Sequence, residues 1–189
     1  MKPGQSLFSF VHAGPDRRSI SAIGCFESQR LLSRTTLLAT FERSVNYAAP
    51  PANNPGQGTA YYYSTPKRLT ISVQVYDLGR RVPAGSDNPA VTSQFNAEVG
   101  SAEQQFKYAG YTAFQKPSVP SSCTYGSVTF RCVTYSGVTQ ANSRVYSKLL
   151  LTGFRDHFVK IRIDWRQSQQ QSAADADAAL QAFVPALMR

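Results

Sequence analysis

The segment Arg68 to Tyr76 constrains this chain more than any other. Leu69, Ile71, Val73 and Val75 alternate with Arg68, Thr70, Ser72, Gln74 and Tyr76. A period of two places the four aliphatic side chains on one face of a β-strand. A strand buried in a parallel sheet is apolar on both faces, so the polar alternate positions point to an antiparallel sheet. The fold must therefore supply an apolar layer to cover one side of that sheet.

Further segments repeat the pattern. His157 to Trp165 sets Val159, Ile161, Ile163 and Trp165 on one face and Lys160, Arg162 and Asp164 on the other. Ser127 to Ser136, with Val128, Phe130 and Cys132 alternating, and Val145 to Thr152 also read as strands. Phe41 to Tyr47 suits a first strand, and the aromatic run Tyr61-Tyr62-Tyr63 suits a half-buried pleated surface. Tyr108 to Lys116 turns at Gly110 and starts another strand. Breaker residues mark an exposed loop at Pro50 to Gly58, and turns or loops at Thr65 to Lys67, Asp77 to Gly79, Pro83 to Asp87, Pro117 to Ser122 and Gly153 to Asp156. Gly137 to Ser143 reads as a polar connection, and Gln167 to Gln171 as a low-complexity linker.

Two helices complete the pattern. Asn88 is a favoured N-cap, and Pro89 at the first helical position gives up no needed hydrogen bond. Val91, Phe95, Val99, Ala102 and Phe106 then form one apolar stripe up to about Lys107. Ser172 caps a terminal helix with the stripe Ala173, Ala176, Leu180, Phe183 and Leu187, and Asp175 and Asp177 lie near its positive end. Pro185 is expected to distort the last turn, because it removes an amide donor. The 189 residues suit one domain. Residues 1–30 have no sustained period and read as a loose arm. Residues 31–189 form the domain, beginning with Leu31 to Leu38 as a short helix or an extended approach. The fold class expected is α+β: an antiparallel β-sheet flanked by a central helix and a C-terminal helix.

Charge and compartment restrict function. Twenty basic residues stand against 11 acidic ones, for a net charge of +9, and fourteen of the basic residues are Arg. They are spread along the chain, and the only adjacent pairs are Arg17–Arg18, Lys67–Arg68 and Arg80–Arg81. A solvated basic surface is the expected reading. A polyanion-binding or anionic-lipid-binding face would need Lys148, Lys160, Arg162 and Arg131 to share one side of the fold. No apolar run approaches the roughly 20 residues of a membrane helix. Met1 to Gly24 has no apolar core of the kind a signal peptide requires. Ala22-Ile23-Gly24-Cys25 looks like the end of a lipoprotein cleavage site, but only Ser19 to Gly24 separates it from Arg17–Arg18. The texture, rich in Tyr, Ser, Thr, Gln and Asn, favours a periplasmic or secreted setting, and a start codon inside a longer reading frame would reconcile that with the missing signal.

No catalytic constellation is readable. The nucleophile-elbow, phosphate-loop, dinucleotide-glycine and His-Glu-x-x-His zinc patterns are absent from the sequence. His157, in Arg155-Asp156-His157, is expected to be a turn-flanking polar contact, and Asp77 in Asp77-Leu78-Gly79 to be turn chemistry. Cys123 and Cys132 lack the further Cys or His of a zinc site. They are expected to pair as a disulfide if the protein is exported, with Tyr125-Gly126-Ser127 turning the chain back and Cys25 left unpaired. A loop of that length would contribute roughly 2.5–3 kcal/mol, less strain. No metal and no cofactor is expected.

Two stretches look familiar together: Val73-Gln74-Val75-Tyr76-Asp77-Leu78-Gly79 and Leu151-Thr152-Gly153-Phe154-Arg155-Asp156-His157-Phe158-Val159-Lys160-Ile161-Arg162. With a helix after each, residues 31–189 resemble an uncharacterised group of bacterial envelope-associated domains. The element order is also similar to the PsbP-like α/β/α sandwich, a curved antiparallel sheet flanked by helices. Neither resemblance implies an activity or a catalytic residue. The expectation is a non-enzymatic binding or accessory domain of the bacterial envelope, with an envelope protein as partner and no specific nucleic-acid binding. The competing expectations are a basic surface for polyanions or anionic lipid, and an enzyme whose site assembles only in the fold.

Overall fold

The computed structural model describes residues 39–189 apart from 51, 52, 55, 117–120, 167, 169 and 170. The expected arm, the Leu31 to Leu38 segment and Cys25 lie outside the described residues. The chain runs β1 (Thr40–Asn46), β2 (Thr59–Ser64), β3 (Thr70–Tyr76), α1 (Pro89–Tyr108), β4 (Thr112–Gln115), β5 (Ser121–Tyr125), β6 (Val128–Val138), β7 (Arg144–Phe154), β8 (His157–Arg166) and α2 (Ala173–Leu187). The eight strands form one sheet in the order β1-β2-β3-β8-β7-β6-β4, with β5 also paired to β6. Every pairing is antiparallel. The result is an α+β fold dominated by its sheet.

Register divides the side chains between two faces. Val73 faces Tyr61 on one side and Ile161 on the other, and Ile161 faces Leu150. These residues share one side of the sheet, where Tyr63, Ile71, Val73, Leu150, Ile161 and Ile163 pack with Ala176, Leu180, Phe183 and Val184 of α2. The opposite side carries Leu149, Leu151, Phe158, Tyr76, Val133 and Tyr135, packed with Val91, Phe95 and Phe106 of α1. Each helix thus covers one side. Burial of each large aliphatic or aromatic group is worth about 1.5–3 kcal/mol.

Local chemistry sets the helix starts. The Asn88 side chain accepts from Val91 N at 2.9 Å, and Ser172 accepts from Asp175 N at 3.2 Å. Two-residue turns close the β5–β6 and β7–β8 hairpins. In the second, Arg155 and Asp156 both have positive φ, 47° and 65°. That is the mirror-image turn that matches strand twist, adopted here without glycine.

Five expectations need correction. Ser121 and Ser122 belong to β5 and not to a loop, and Gly137 and Val138 belong to β6. Gly153 and Phe154 belong to β7, so the tip is Arg155–Asp156 alone. The Pro50–Gly58 connection is not wholly exposed: Gly56 O accepts from Asp77 N at 3.1 Å and Leu78 N at 2.8 Å, packing the loop on the exit of β3. Ala173 is exposed, and Val184 takes a core place on α2. Pro185 sits within α2, which runs on to Leu187, with Met188 N donating to Val184 O at 3.0 Å.

Candidate functional site

Polar side chains of the sheet converge beneath α1. The alternation of β8 sends Lys160 and Arg162 to that side, between the apolar neighbours Phe158 and Leu149. Glu98 follows Phe95 by three residues and precedes Ala102 by four, which puts it on the helix face that meets the sheet. Lys160 Nζ donates to Glu98 Oε2 at 3.0 Å. The Tyr76 hydroxyl and Gln94 Nε2 donate to Glu98 Oε1 at 2.8 and 3.1 Å. Arg162 Nε donates to Ser147 Oγ at 2.7 Å and to Asp164 Oδ1 at 2.9 Å.

Glu98, Lys160, Arg162 and Ser147 wall a cavity of about 40 Å³, together with Tyr135, Leu149, Ala102 and Gln105. It has room for a few waters or one small ion, not for an organic cofactor. The Tyr135 hydroxyl is buried and has no hydrogen-bond partner among the described residues. Burial pushes its phenol well above the ordinary tyrosine value; Arg162 opposes this and Glu98 adds to it. Tyr76 is likewise pushed up, by burial first and then by the Glu98 charge and hydrogen bond. Both phenols therefore remain O–H donors at neutral pH.

A second cluster lies on the α2 side. Cys123 faces Phe130 and Cys132 faces Ser121, so the two cysteines are diagonal neighbours on one side of the β5–β6 pair. Both are thiols. The neighbouring Cys123 thiol holds Cys132 below the ordinary thiol value, against desolvation, with help from Ser121 and the Lys148 charge, while the Asp177 charge opposes it. The Cys132 group beside it, then burial, push Cys123 up. Ser121 Oγ lies 3.3 Å from Cys132 Sγ. Lys148 Nζ and the Tyr125 hydroxyl both donate to Asp177 Oδ1 at 2.7 Å, tying β7 and β5 to α2.

The other candidates are placed as follows. His157 Nδ1 lies 2.6 Å from Arg155 O, and its Nε2 lies 3.9 Å from Asp77 Oδ2. Asp77 closes its own turn by accepting from Gly79 N at 2.7 Å. Asp156 pairs with Arg81 at 2.7 Å and not with His157. Of the four basic residues that had to share a face, Arg131, Lys160 and Arg162 do, but Lys148 lies on the opposite one. Arg131 is engaged too, donating from Nε to Ser86 O at 3.2 Å. Among the described residues no three His, Cys, Asp or Glu side chains gather in a way that could hold a metal ion.

Sequence reading missed Glu98, Tyr76 and Tyr135. A usable signal existed: Glu98 is a carboxylate on the apolar side of α1, and a core-facing charge needs a partner. Lys160 and Arg162 are the cations that β8 turns to the same side. No protein-family model matches the chain, and no curated protein matches it.

Proposed function

We propose that the chain is a non-enzymatic binding or accessory domain that holds a small oxyanionic group of its ligand, such as a carboxylate, in the cleft between α1 and the sheet. The observation that carries this reading is the buried, unpartnered Tyr135 hydroxyl in a cavity walled by Lys160 and Arg162. A buried O–H without an acceptor costs about 1–3 kcal/mol, which an acceptor on a ligand would offset. Holding suits the site better than turnover, because Glu98, Lys160 and Arg162 are each engaged by other protein groups. The bacterial-envelope setting is part of the same proposal. It is supported by the resemblance carried by residues 73–79 and 151–162, segments that contribute Tyr76, Lys160 and Arg162 to the site.

A polyanion surface has less support, since Lys160 and Arg162 are engaged beneath α1, Arg131 is bonded to Ser86 O, and Lys148 lies across the sheet. Amide NMR titration with acetate and with inorganic phosphate tests the proposal. Saturable shifts are expected at Tyr135, Ser147 and Arg162, lost in Arg162→Gln. Tyr135→Phe should weaken binding by about fivefold to tenfold, the worth of one hydrogen bond. Shifts scattered over the surface that never saturate would sink the reading. Binding to any nucleic acid that collapses as salt rises would favour the polyanion alternative.

A further inference from the structure

The structure assigns the second cluster a chemistry of its own: we propose that Cys123 and Cys132 form a reversible thiol–disulfide exchange site whose co-reactant is a low-molecular-weight disulfide. Three observations carry it. The two thiols are diagonal neighbours on one side of adjacent strands. Cys123 is half-exposed on β5, at the rim of the sheet, whereas Cys132 is buried. The surroundings favour a single negative charge on the pair: Ser121 Oγ lies against Cys132 Sγ, and the Lys148 cation faces the pair from β7. The Asp177 carboxylate and the Tyr125 phenol face it from α2 and β5 and are bonded to each other, with Lys148 bonded to the same carboxylate.

The step balances as follows. The Cys132 thiolate takes the proton of its neighbour Cys123, leaving the charge on the less buried of the two residues. The Cys123 thiolate attacks one sulfur of the incoming disulfide and expels the first thiolate, giving a mixed disulfide at Cys123. Cys132 then yields its proton to that leaving group. Its thiolate attacks Cys123 Sγ and expels the second thiolate, and the intramolecular bond forms. Two cysteines are oxidised, and one small disulfide is reduced to two thiols. Cys132 serves as the base in the first step and as the resolving thiol in the second.

Reversibility follows from position. Diagonal neighbours in an antiparallel pair have Cα atoms about 7–8 Å apart, and disulfides usually need about 4.4–6.8 Å. Closing the bond must draw β5 across β6, against the Tyr125–Asp177 tie and the 3.4 Å bond from Gln181 Nε2 to Thr124 O. A bond formed under strain is reducible by small thiols, whereas a relaxed structural disulfide resists them.

The test uses the full chain carrying Cys25→Ser, equilibrated with mixtures of reduced and oxidised glutathione. Mass spectrometry is expected to find an intramolecular bridge that forms and reverses as the ratio changes. Cys132→Ser should instead accumulate a mixed disulfide at Cys123. The bridging rate should rise with pH around a midpoint below the ordinary thiol value, and Lys148→Gln should move that midpoint upward. A fold check by circular dichroism accompanies each variant. No bridge in folded protein at any ratio would overturn the proposal. So would a bridge that excess reduced glutathione cannot open, which would mark a structural disulfide. A rate following an ordinary thiol titration in the parent and in Lys148→Gln alike would overturn the role of the proton transfer.

Discussion

Gly85 and Gly153 exchange two backbone hydrogen bonds, Gly85 N to Gly153 O at 2.9 Å and Gly153 N to Gly85 O at 3.1 Å. This bridge lays residues 82–87 across the end of β7, with Val82 N bonded to Asp156 O at 3.0 Å beside it. The strap also sets the start of α1, since Asn88 Nδ2 donates to Pro83 O and Gly85 O at 3.0 and 2.9 Å. Cleft geometry therefore depends on a segment that contributes nothing to the cleft wall.

Gly153→Ala should loosen that strap. A Cβ at Gly153 would lie 2.0 Å from Pro83 O, a backbone atom that cannot swing away. Overpacking of this kind costs about 1–3 kcal/mol. Urea unfolding should give a lower midpoint, and amide exchange should quicken at Val91 and Thr92, where α1 starts. Unchanged exchange there would separate the strap from the helix cap.

Tyr76→Phe should destabilise the domain by about 1.5–3 kcal/mol, the range for a hydrogen bond to a charged group. The bond is partly buried and 2.8 Å long. A double-mutant cycle with Glu98→Gln should return a coupling of about 0.5–3 kcal/mol. Additive losses would show that Glu98 anchors α1 through Lys160 alone.

Sheet and helices were legible wherever a segment carries its own period. β3 and β8 alternate strictly, and α1 and α2 show capped apolar stripes. β5 was illegible because Ser121, Ser122 and Thr124 are polar and exposed, and only Cys123 and Tyr125 on its inner face are drawn into the core; β6, not local propensity, makes it a strand. Gly137 and Gly153 read as breaks, yet both lie inside strands. A Cβ at Gly137 would lie 2.9 Å from the Phe106 ring, and one at Gly153 would lie 2.0 Å from Pro83 O. Close approach of distant parts leaves no periodic trace. The cleft was half legible: Lys160 and Arg162 stood out as the polar positions of β8, but pairing them with Glu98 requires knowing which face α1 covers.

Val73→Asp should prevent folding. Val73 is fully buried, between Tyr61 and Ile161 in the register of the sheet. An uncompensated charge there costs several kcal/mol, comparable to the whole stability of a domain. Expression as insoluble protein, or as soluble protein without a cooperative transition, is expected. A cooperative melt near the parent temperature would refute the burial of this strand face.

Deleting residues 172–189 should also abolish cooperative folding, because among the described residues α2 is the helix that covers the Ile71, Val73, Ile161 and Ile163 side. Leu180→Ala gives a graded version of the test. Leu180 is fully buried, and truncating such a leucine costs about 2–5 kcal/mol. A truncated chain melting at the parent temperature would show that α2 does not hold this face.

The Asp177 cluster should shape stability in acid. Desolvation is the largest single influence on Asp177 and would raise its pKa, but hydrogen bonds from Lys148 and Tyr125 and the Lys148 charge together outweigh it and leave it below the ordinary value. A folded pKa below the unfolded one means stability that is fully present above the unfolded value, near pH 4, and is lost as pH falls through the lower folded value. The carboxylate is half exposed, at 52%, so screening limits the contribution to about 0.2–1 kcal/mol. Asp177→Asn keeps an acceptor for Tyr125 and removes only the charge. Urea midpoints measured from neutral pH downward should show the variant less stable than the parent, with the gap closing below about pH 4, where the parent carboxylate also becomes neutral. A gap that persists unchanged in acid would assign the loss to packing, and a gap absent at neutral pH would show that Lys148 gains nothing from this partner.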